Sequence, residues 1–388
     1  MIRGPGFVVT AAFIGPGTVT TCTLAGVGFD TTLLWVLTFA VLATMVLQEM
    51  SARLALASGA GLAESLSRFA PPWGRLTAWV SGIAVLLGVL AFEAGNLSGA
   101  GLGLAAVTDA GAKPWTATIA IVAAGLLLSG HYRVIERVLM ACVGLMGIVF
   151  VITAAATAPD WGRILRHLIV PSLPDGSGLT ALALVGTTLV PYNLYLHAGA
   201  VRERWRGREH LADARRDLVA AVALGGLIST AIVVTAAAAL AGAHVMSASD
   251  MARQLEPLLG AWAQRLFGIG FATAGLTSAI TAPMAAAYIV AGLTRGGDRL
   301  GSPLIRAVML ATIAIGATFA LVDIRPVRLI LLAQAANGII LPVIALALLA
   351  ALNDRRRLGA LRNRWRANLA GAVIVALTAI LAARTFLG

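Results

Sequence analysis

The sequence predicts an all-α polytopic membrane protein of about eleven transmembrane helices, and three observations predict it. Of 388 residues, 59% are hydrophobic and only 12% are charged. Mean hydropathy is +0.90, more apolar surface than a soluble domain of this length can hide. Apolar runs of about 20 residues, enough to cross the hydrocarbon core as helices, recur along the chain. Arginine clusters or loops containing Gly, Pro or Asp separate them.

The runs fall at 5–28, 32–57, 75–106, 115–130, 134–158, 178–201, 217–244, 260–293, 303–323, 326–350 and 367–387, spans 1 to 11. Span 1 follows Met1-Ile2-Arg3 directly. With no charged n-region, short apolar core and small-residue cleavage site, it reads as a retained helix, not a removable signal. In span 2, Glu49 and Arg53 share a helical face at i,i+4, which suits a structural ion pair or an inner-gate element. Span 3 carries Glu93, the most deeply embedded acid, and intramembrane acids are functional by default. Between spans 7 and 8, residues 247–257 read as a short surface helix. Span 10 carries Gln334 and Asn337. The whole of 1–388 reads as one transmembrane domain with no soluble appendage.

Charge sets the topology. The net charge is +12, and Lys113 is the only lysine. With the N-terminus inside, 21 of the 29 basic residues fall on the cytoplasmic side, among them Arg3, Arg53, Arg68, Arg75, Arg133, Arg137, Arg295, Arg299 and Arg306. This bias predicts a cytoplasmic N-terminus and an external C-terminus, in what is expected to be a bacterial inner membrane. Position therefore explains the basic charge, and the bilayer is the expected partner, with no nucleic acid. Cys22 and Cys142 lie in different spans and give neither a disulfide framework nor metal spacing. His131, His167, His210 and His244 fall in loops or at span ends, again without metal-ligand spacing. No nucleophile–base pair suggests an enzyme, no Gly-x-x-x-x-Gly-Lys-[Ser/Thr] motif suggests ATP, and no cofactor is expected. A transport-dead sensor on the same scaffold would call for an added regulatory domain, for which the chain has no room.

Two spans are interrupted at their midpoints. Span 1 holds Gly15-Pro16-Gly17-Thr18, and span 6 holds Val190-Pro191-Tyr192-Asn193. Proline removes a backbone donor and glycine is a poor helix former. Two breaks five helices apart are the sequence pointer to a transporter site built from inverted repeats. Repeat one then covers about 5–158, repeat two about 178–350, and span 11 is extra.

The motifs resemble those of the Nramp family of proton-coupled divalent-metal transporters, whose fold is of the leucine-transporter type. "GPGFVVTAAFIGPG" and "LLWVLTFAVLATMVLQEMSARLALASGAGLAE" are similar to that family's first two helices. "VPYNLYLHAG" is similar to its sixth, "GLTSAITAPMAAAYIVAGL" to its eighth and "LLAQAANGIILPVIALALLAALND" to its tenth. The resemblance implies a 5+5 inverted repeat with helices 1 and 6 broken at the midplane. It implies a proton route through Glu93 and His197, with the family's second helix-3 acid replaced by Asn96, and a pathway lined by Gln334 and Asn337. The centre departs from the family. Its Asp-Pro-Gly-Asn is Gly15-Pro16-Gly17-Thr18, and its Met-Pro-His is Val190-Pro191-Tyr192. The Asp, Asn, Met and His that the family implies for metal or proton are all replaced, while the residues that shape the breaks are kept.

A desolvated transition metal needs anionic or soft donors, and the altered centre offers neither. Two half-helix N-termini, each worth roughly half a positive charge, favour an anion. The expected substrate site is Gly15, Gly17, Thr18, Thr21, Val190, Tyr192, Asn193 and Gln334. Hydroxyls at Thr20, Thr187 and Thr188 are further donors. The expected function is secondary-active transport of a small inorganic anion, bicarbonate-like, by alternating access. The alternative is a divalent cation such as Mg2+ or Mn2+, possibly proton-coupled, since hydrated Mg2+ requires few direct ligands. Substrate identity, coupling ion, stoichiometry and oligomeric state are left open by the sequence.

Overall fold

The protein is described as a computed structural model covering residues 5–6, 14–69, 73–108, 110–129, 133–205, 207–294, 302–322 and 324–387. Arg3, residues 7–13 of span 1, His131, Arg206, Arg295 and Arg299 lie outside the described residues, as do the side chains of Arg133 and Arg357. Seventeen α-helices follow in order. They are α1 Pro16–Phe29, α2 Leu34–Ser58, α3 Leu62–Phe69, α4 Gly74–Ala105, α5 Ala112–Ser129, α6 Arg133–Ala156, α7 Trp161–Ile169, α8 Gly178–Thr188 and α9 Pro191–Arg204. Then come α10 Leu211–Ala239, α11 Ala248–Ala252, α12 Glu256–Leu259, α13 Ala263–Thr294, α14 Pro303–Leu321, α15 Pro326–Leu352, α16 Arg355–Leu358 and α17 Trp365–Leu387. Ten stretches are long and apolar enough to cross a membrane, with α8 and α9 counted as one. The all-helical membrane architecture expected from the sequence is the architecture found, with these ten candidate spans among the described residues and α1 as the described part of span 1.

Small residues set the helix packing. In lipid, helices associate through close backbone approach and side-chain packing, because lipid tails are as apolar as the side chains. A Cβ on Gly103 of α4 would lie 2.6 Å from the Ala272 nitrogen and the Gly268 carbonyl of α13. One on Gly275 of α13 would lie 2.7 Å from the Ala100 nitrogen. One on Gly338 of α15 would lie 2.7 Å from the Leu182 carbonyl of α8. These contacts weld α4 to α13 and α15 to α8, the walls on either side of the breaks.

The segment at 247–257 corrects the expectation of a surface helix. Ser247 caps α11 in a reciprocal capping box with Asp250, as its chemistry favours. Ala248, Met251, Ala252, Leu255 and Gln254 are all buried. The Gln254 carboxamide donates to Thr23 Oγ1 of α1 (3.0 Å) and to the Met251 carbonyl (2.8 Å), and its oxygen accepts from Thr235 Oγ1 of α10 (3.2 Å). The exposed Arg253 and Glu256 make the segment look like a surface helix, whereas Met251 and Leu255, one turn apart, bury it.

Two short amphipathic helices, α3 and α7, were not expected, being too short and too polar to register as spans. α7 is tied to the α1–α2 turn by Arg163–Asp30 (2.5 Å) and by His167 Nδ1 with Thr31 Oγ1 (2.7 Å). At the arginine-rich face, the expected Glu49–Arg53 pair forms (3.2 Å) and extends further than the sequence indicated. Glu49 also meets Arg215 of α10 (2.6 Å). Arg53, buried, donates to the Leu361 carbonyl (3.0 Å) and to Asn363 Oδ1 (2.7 Å).

Candidate functional site

Two prolines build the site. The residue before a proline is pushed out of the helical region into extended backbone. Gly15 (φ −108°, ψ −172°) and Val190 (φ −75°, ψ 120°) are both extended. Pro16 and Pro191 then open new helices at the first helical turn, where a missing N–H costs nothing. Neither α1 nor α9 has an acid in its first turn, so each presents its positive end uncompensated by its own side chains. Gly99 of α4 lets the scaffold seat on the first break, because a Cβ there would overlap the Pro16 ring.

The structure brings several of the expected residues together. Thr18 Oγ1 and Thr187 Oγ1 are hydrogen-bonded at 2.9 Å, both buried, joining α1 to the end of α8. The Gln334 carboxamide of α15 lies against Gly17, where a Cβ would collide with it. Tyr192 packs edge-on against Phe92 of α4, ring centroids 5.1 Å apart, and lies beside Thr281 of α13. Val190 is buried at the second break and offers no donor. Gly15 contributes its carbonyl to the Val19 N–H (3.2 Å).

Side-chain polar atoms of Thr20, Thr21, Thr188, Tyr192, Asn193 and Gln334 are buried with no hydrogen-bond partner in the protein. Each such atom costs about 1–3 kcal/mol if nothing ever satisfies it, so buried polar atoms are ordinarily paired. Glu93, Asn96, Ser98, His197 and Asn337 carry unpartnered buried polar atoms as well.

Glu93 of α4 is buried, its Cγ packed where a Cβ on Gly316 of α14 would fall, with Asn96 beside it. It is within electrostatic reach of Tyr192, and both its carboxylate oxygens lack a hydrogen-bond partner. His197 lies one turn beyond Asn193, next to the Gln48 backbone of α2, with both ring nitrogens unpartnered. Asn337, one turn from Gln334, points at α4, its Oδ1 2.7 Å from where a Gly88 Cβ would be. Sequence reading missed Phe92, Thr281 and Gly99. An aromatic preceding an intramembrane acid was the only available signal, and it is a weak one. Among the described residues, no three His, Cys, Asp or Glu side chains gather as a metal cluster.

Residues 6–388 match the family model described as natural resistance-associated macrophage protein-like, Nramp. The chain belongs to the Nramp family. A relative from Acidiphilium cryptum, named divalent metal cation transporter MntH, is 30% identical over 392 residues, covering 97% of this chain and 88% of its own. One of the same name from Verminephrobacter eiseniae is 31% identical, covering 99% and 89%. Among solved structures, a manganese transporter of Eremococcus coleocola superimposes with a TM-score of 0.81 at 19% identity, covering 98% of this chain and 84% of that one. Mhp1, a nucleobase-cation-symport-1 family transporter, superimposes at 0.65 with 15% identity, covering 98% and 92%. This Nramp chain is thus an integral membrane transporter, and its family and relatives are transporters, not enzymes.

Proposed function

We propose that this Nramp chain is a secondary-active transporter of a divalent cation, Mg2+- or Mn2+-like, which it holds with part of its water shell between the breaks of α1 and α8–α9. One observation supports the reading: Thr21, Tyr192, Asn193 and Gln334 keep buried side-chain polar atoms without a hydrogen-bond partner, in a chain whose relatives are named divalent metal cation transporters. Mg2+ dehydrates reluctantly and keeps several waters. Hydroxyls and carboxamides are the groups that hydrogen-bond such a shell. A bare divalent ion in this lining, without an anionic ligand, would face a desolvation cost on the order of tens of kcal/mol. Valine at 190 supplies no soft sulfur, which disfavours ions that rely on a thioether.

The relatives support a cation over the bicarbonate-like anion expected from charge alone. One observation keeps the anion as a second reading: the two helices that start at Pro16 and Pro191 carry no acid in their first turns, and a helix N-terminus favours an anion.

Transport is by alternating access, with spans 1, 2, 6 and 7 rocking against spans 3, 4, 8 and 9. The repeats, 5–158 and 178–350, form a single transmembrane domain with span 11 appended. The arginine bias puts the N-terminus in the bacterial cytoplasm and the C-terminus outside. Glu93 and His197, both buried, serve a proton route. Purified protein in proteoliposomes tests the reading, with Mg2+ and Mn2+ entry followed by trapped dyes and labelled bicarbonate in parallel. Saturable Mg2+ or Mn2+ entry above protein-free vesicles is the expected result. Bicarbonate uptake without divalent entry would replace it with the anion reading.

A further inference from the structure

The short helix α7 has three faces, and only one of them meets the protein. Residues 157–160 turn the chain out of α6. Ala158 takes the left-handed conformation (φ 47°), and Pro159 has no N–H to continue the helix. Asp160 Oδ1 then accepts from the Arg163 N–H (3.0 Å) and starts α7. At about 100° per residue, its nine residues divide into sectors. Ile164 is buried, His167 and Leu168 are half-buried, and they face inward. On that side Arg163 pairs with Asp30, and His167 with Thr31. Just past the helix, the Ser172 carbonyl accepts from the Trp35 indole of α2 (2.6 Å). Trp161, Leu165 and Ile169, one turn apart, form a second face. They are exposed by 57%, 59% and 76%. Arg166 is exposed beside that stripe.

We infer that α7 is a membrane-surface helix: Trp161, Leu165 and Ile169 lie in the boundary between phospholipid headgroups and acyl chains, Arg166 meets the phosphates, and the helix thereby holds the α1–α2 turn at the bilayer surface. The inference stands whichever ion is carried. The lipid surface is chosen over a protein partner on three grounds. First, α7 follows directly on a membrane span. α6 itself exposes Leu145, Ile148 and Ile152, the face that a span turns to acyl chains. Second, nine residues rise only about 14 Å, too little to cross a hydrocarbon core of about 30 Å, so a helix at the end of a span with one apolar and one polar face lies along the interface. Third, the composition suits that depth. Tryptophan is favoured at the headgroup level, and basic side chains beside an apolar stripe are drawn to lipid phosphates. The inward face links this seat to the transport machinery. Asp30 and Thr31 directly follow α1, the helix that begins at the first break, so what fixes α7 also fixes the far end of α1.

Site-directed spin labelling in phospholipid vesicles tests the inference. The background carries Cys142→Ala, and the fully buried Cys22 is left in place. Nitroxides are attached in turn to Trp161→Cys, Leu165→Cys, Ile169→Cys, Arg166→Cys and Asp175→Cys, the last in the exposed turn that follows. Collision with molecular oxygen, which partitions into the bilayer, is read against collision with a water-soluble nickel chelate. The oxygen-to-nickel ratio is expected to be about threefold or more higher at 161, 165 and 169 than at 166 and 175. The three stripe positions are independent, so one variant that fails to fold leaves two readings. A ratio at 165 and 169 equal to that at 175 would put the stripe in water and overturn the inference. Low collision with both reagents would mean that protein covers the stripe, and would overturn it equally. The anchoring is tested with a nitroxide on Thr32→Cys in the α1–α2 turn. Leu165→Glu together with Ile169→Glu is expected to raise its mobility about twofold, because charged groups leave the acyl boundary. Unchanged mobility at 32 in vesicles would overturn the anchoring.

Discussion

The two helix breaks are built alike and surrounded differently. Both place an extended residue, Gly15 or Val190, before a proline that starts a new helix, and both lack an acid in the turn that follows. The first is enclosed by neutral groups, with Gln334 against Gly17 and Thr187 bonded to Thr18. At the second, Tyr192 packs edge-on to Phe92 of α4 and lies within electrostatic reach of Glu93. Backbone geometry is thus common to both, while the second adds an aromatic contact with α4 and the nearness of a buried acid.

The largest expected effect breaks what the two share. In Gly186→Ala, the new Cβ would overlap the Gln334 carbonyl and the Gly338 nitrogen, backbone atoms that cannot swing aside. Overpacking costs about 1–3 kcal/mol or more, and a sharp drop in thermal midpoint and in monodisperse protein is expected. Gly178→Ala in the same helix, whose nearest neighbour atom lies 3.6 Å away, leaves both unchanged. Equal behaviour of the two variants would mean that α8 is not wedged against α15.

Placing a carboxylate at the first break sharpens the electrostatic side. Gly15→Asp adds a negative charge at the N-cap of α1, a position that aspartate suits. Divalent cation binding then tightens, with KM for Mn2+ about tenfold lower, about 1.4 kcal/mol. If bicarbonate were the substrate, the same variant would weaken its uptake. Opposite signs make this the most discriminating single substitution.

The second break is probed through its acid. Glu93→Gln keeps the shape and removes the ionisable group. With Glu93 on the proposed proton route and not an ion ligand, Mg2+ KM is expected to stay within about twofold. Stimulation by an inward proton gradient, measured in the same vesicles, is expected to disappear. A large rise in KM instead would put Glu93 in the ion shell. The smallest change concerns Val190→Met, which returns a thioether to the second break. A threefold shift of the Mn2+/Mg2+ flux ratio toward Mn2+ is expected from the preference of softer ions for sulfur.

Much of this was legible in advance, because it depends on rules local to the chain. The spans follow from apolar runs, and the breaks from Pro16 and Pro191. The Glu49–Arg53 pair follows from i,i+4 spacing on one helix. The residues read as the substrate site are all buried, and so are Glu93 and His197. The misreading at 247–257 has the opposite cause. Whether Met251 and Leu255 are covered depends on α1, α10 and α13, which are distant in sequence, and Gln254 finds Thr23 231 positions away.

Sequence alone determined that this is a polytopic helical membrane protein, that it belongs with the Nramp family, and that Gly15, Thr18, Val190 and Tyr192 bring no carboxylate or thioether to the two interruptions. Those properties reside in composition, in proline's effect on its predecessor and in the identity of single residues. The tertiary structure alone decided that Thr187 and not Thr188 meets Thr18, that Gln334 lies on Gly17, and that Phe92 packs on Tyr192. Neighbouring residues on a helix point about 100° apart. Which of two adjacent side chains reaches a partner is therefore set by how the helices cross and how closely their glycines let them approach, and neither is written in the local sequence.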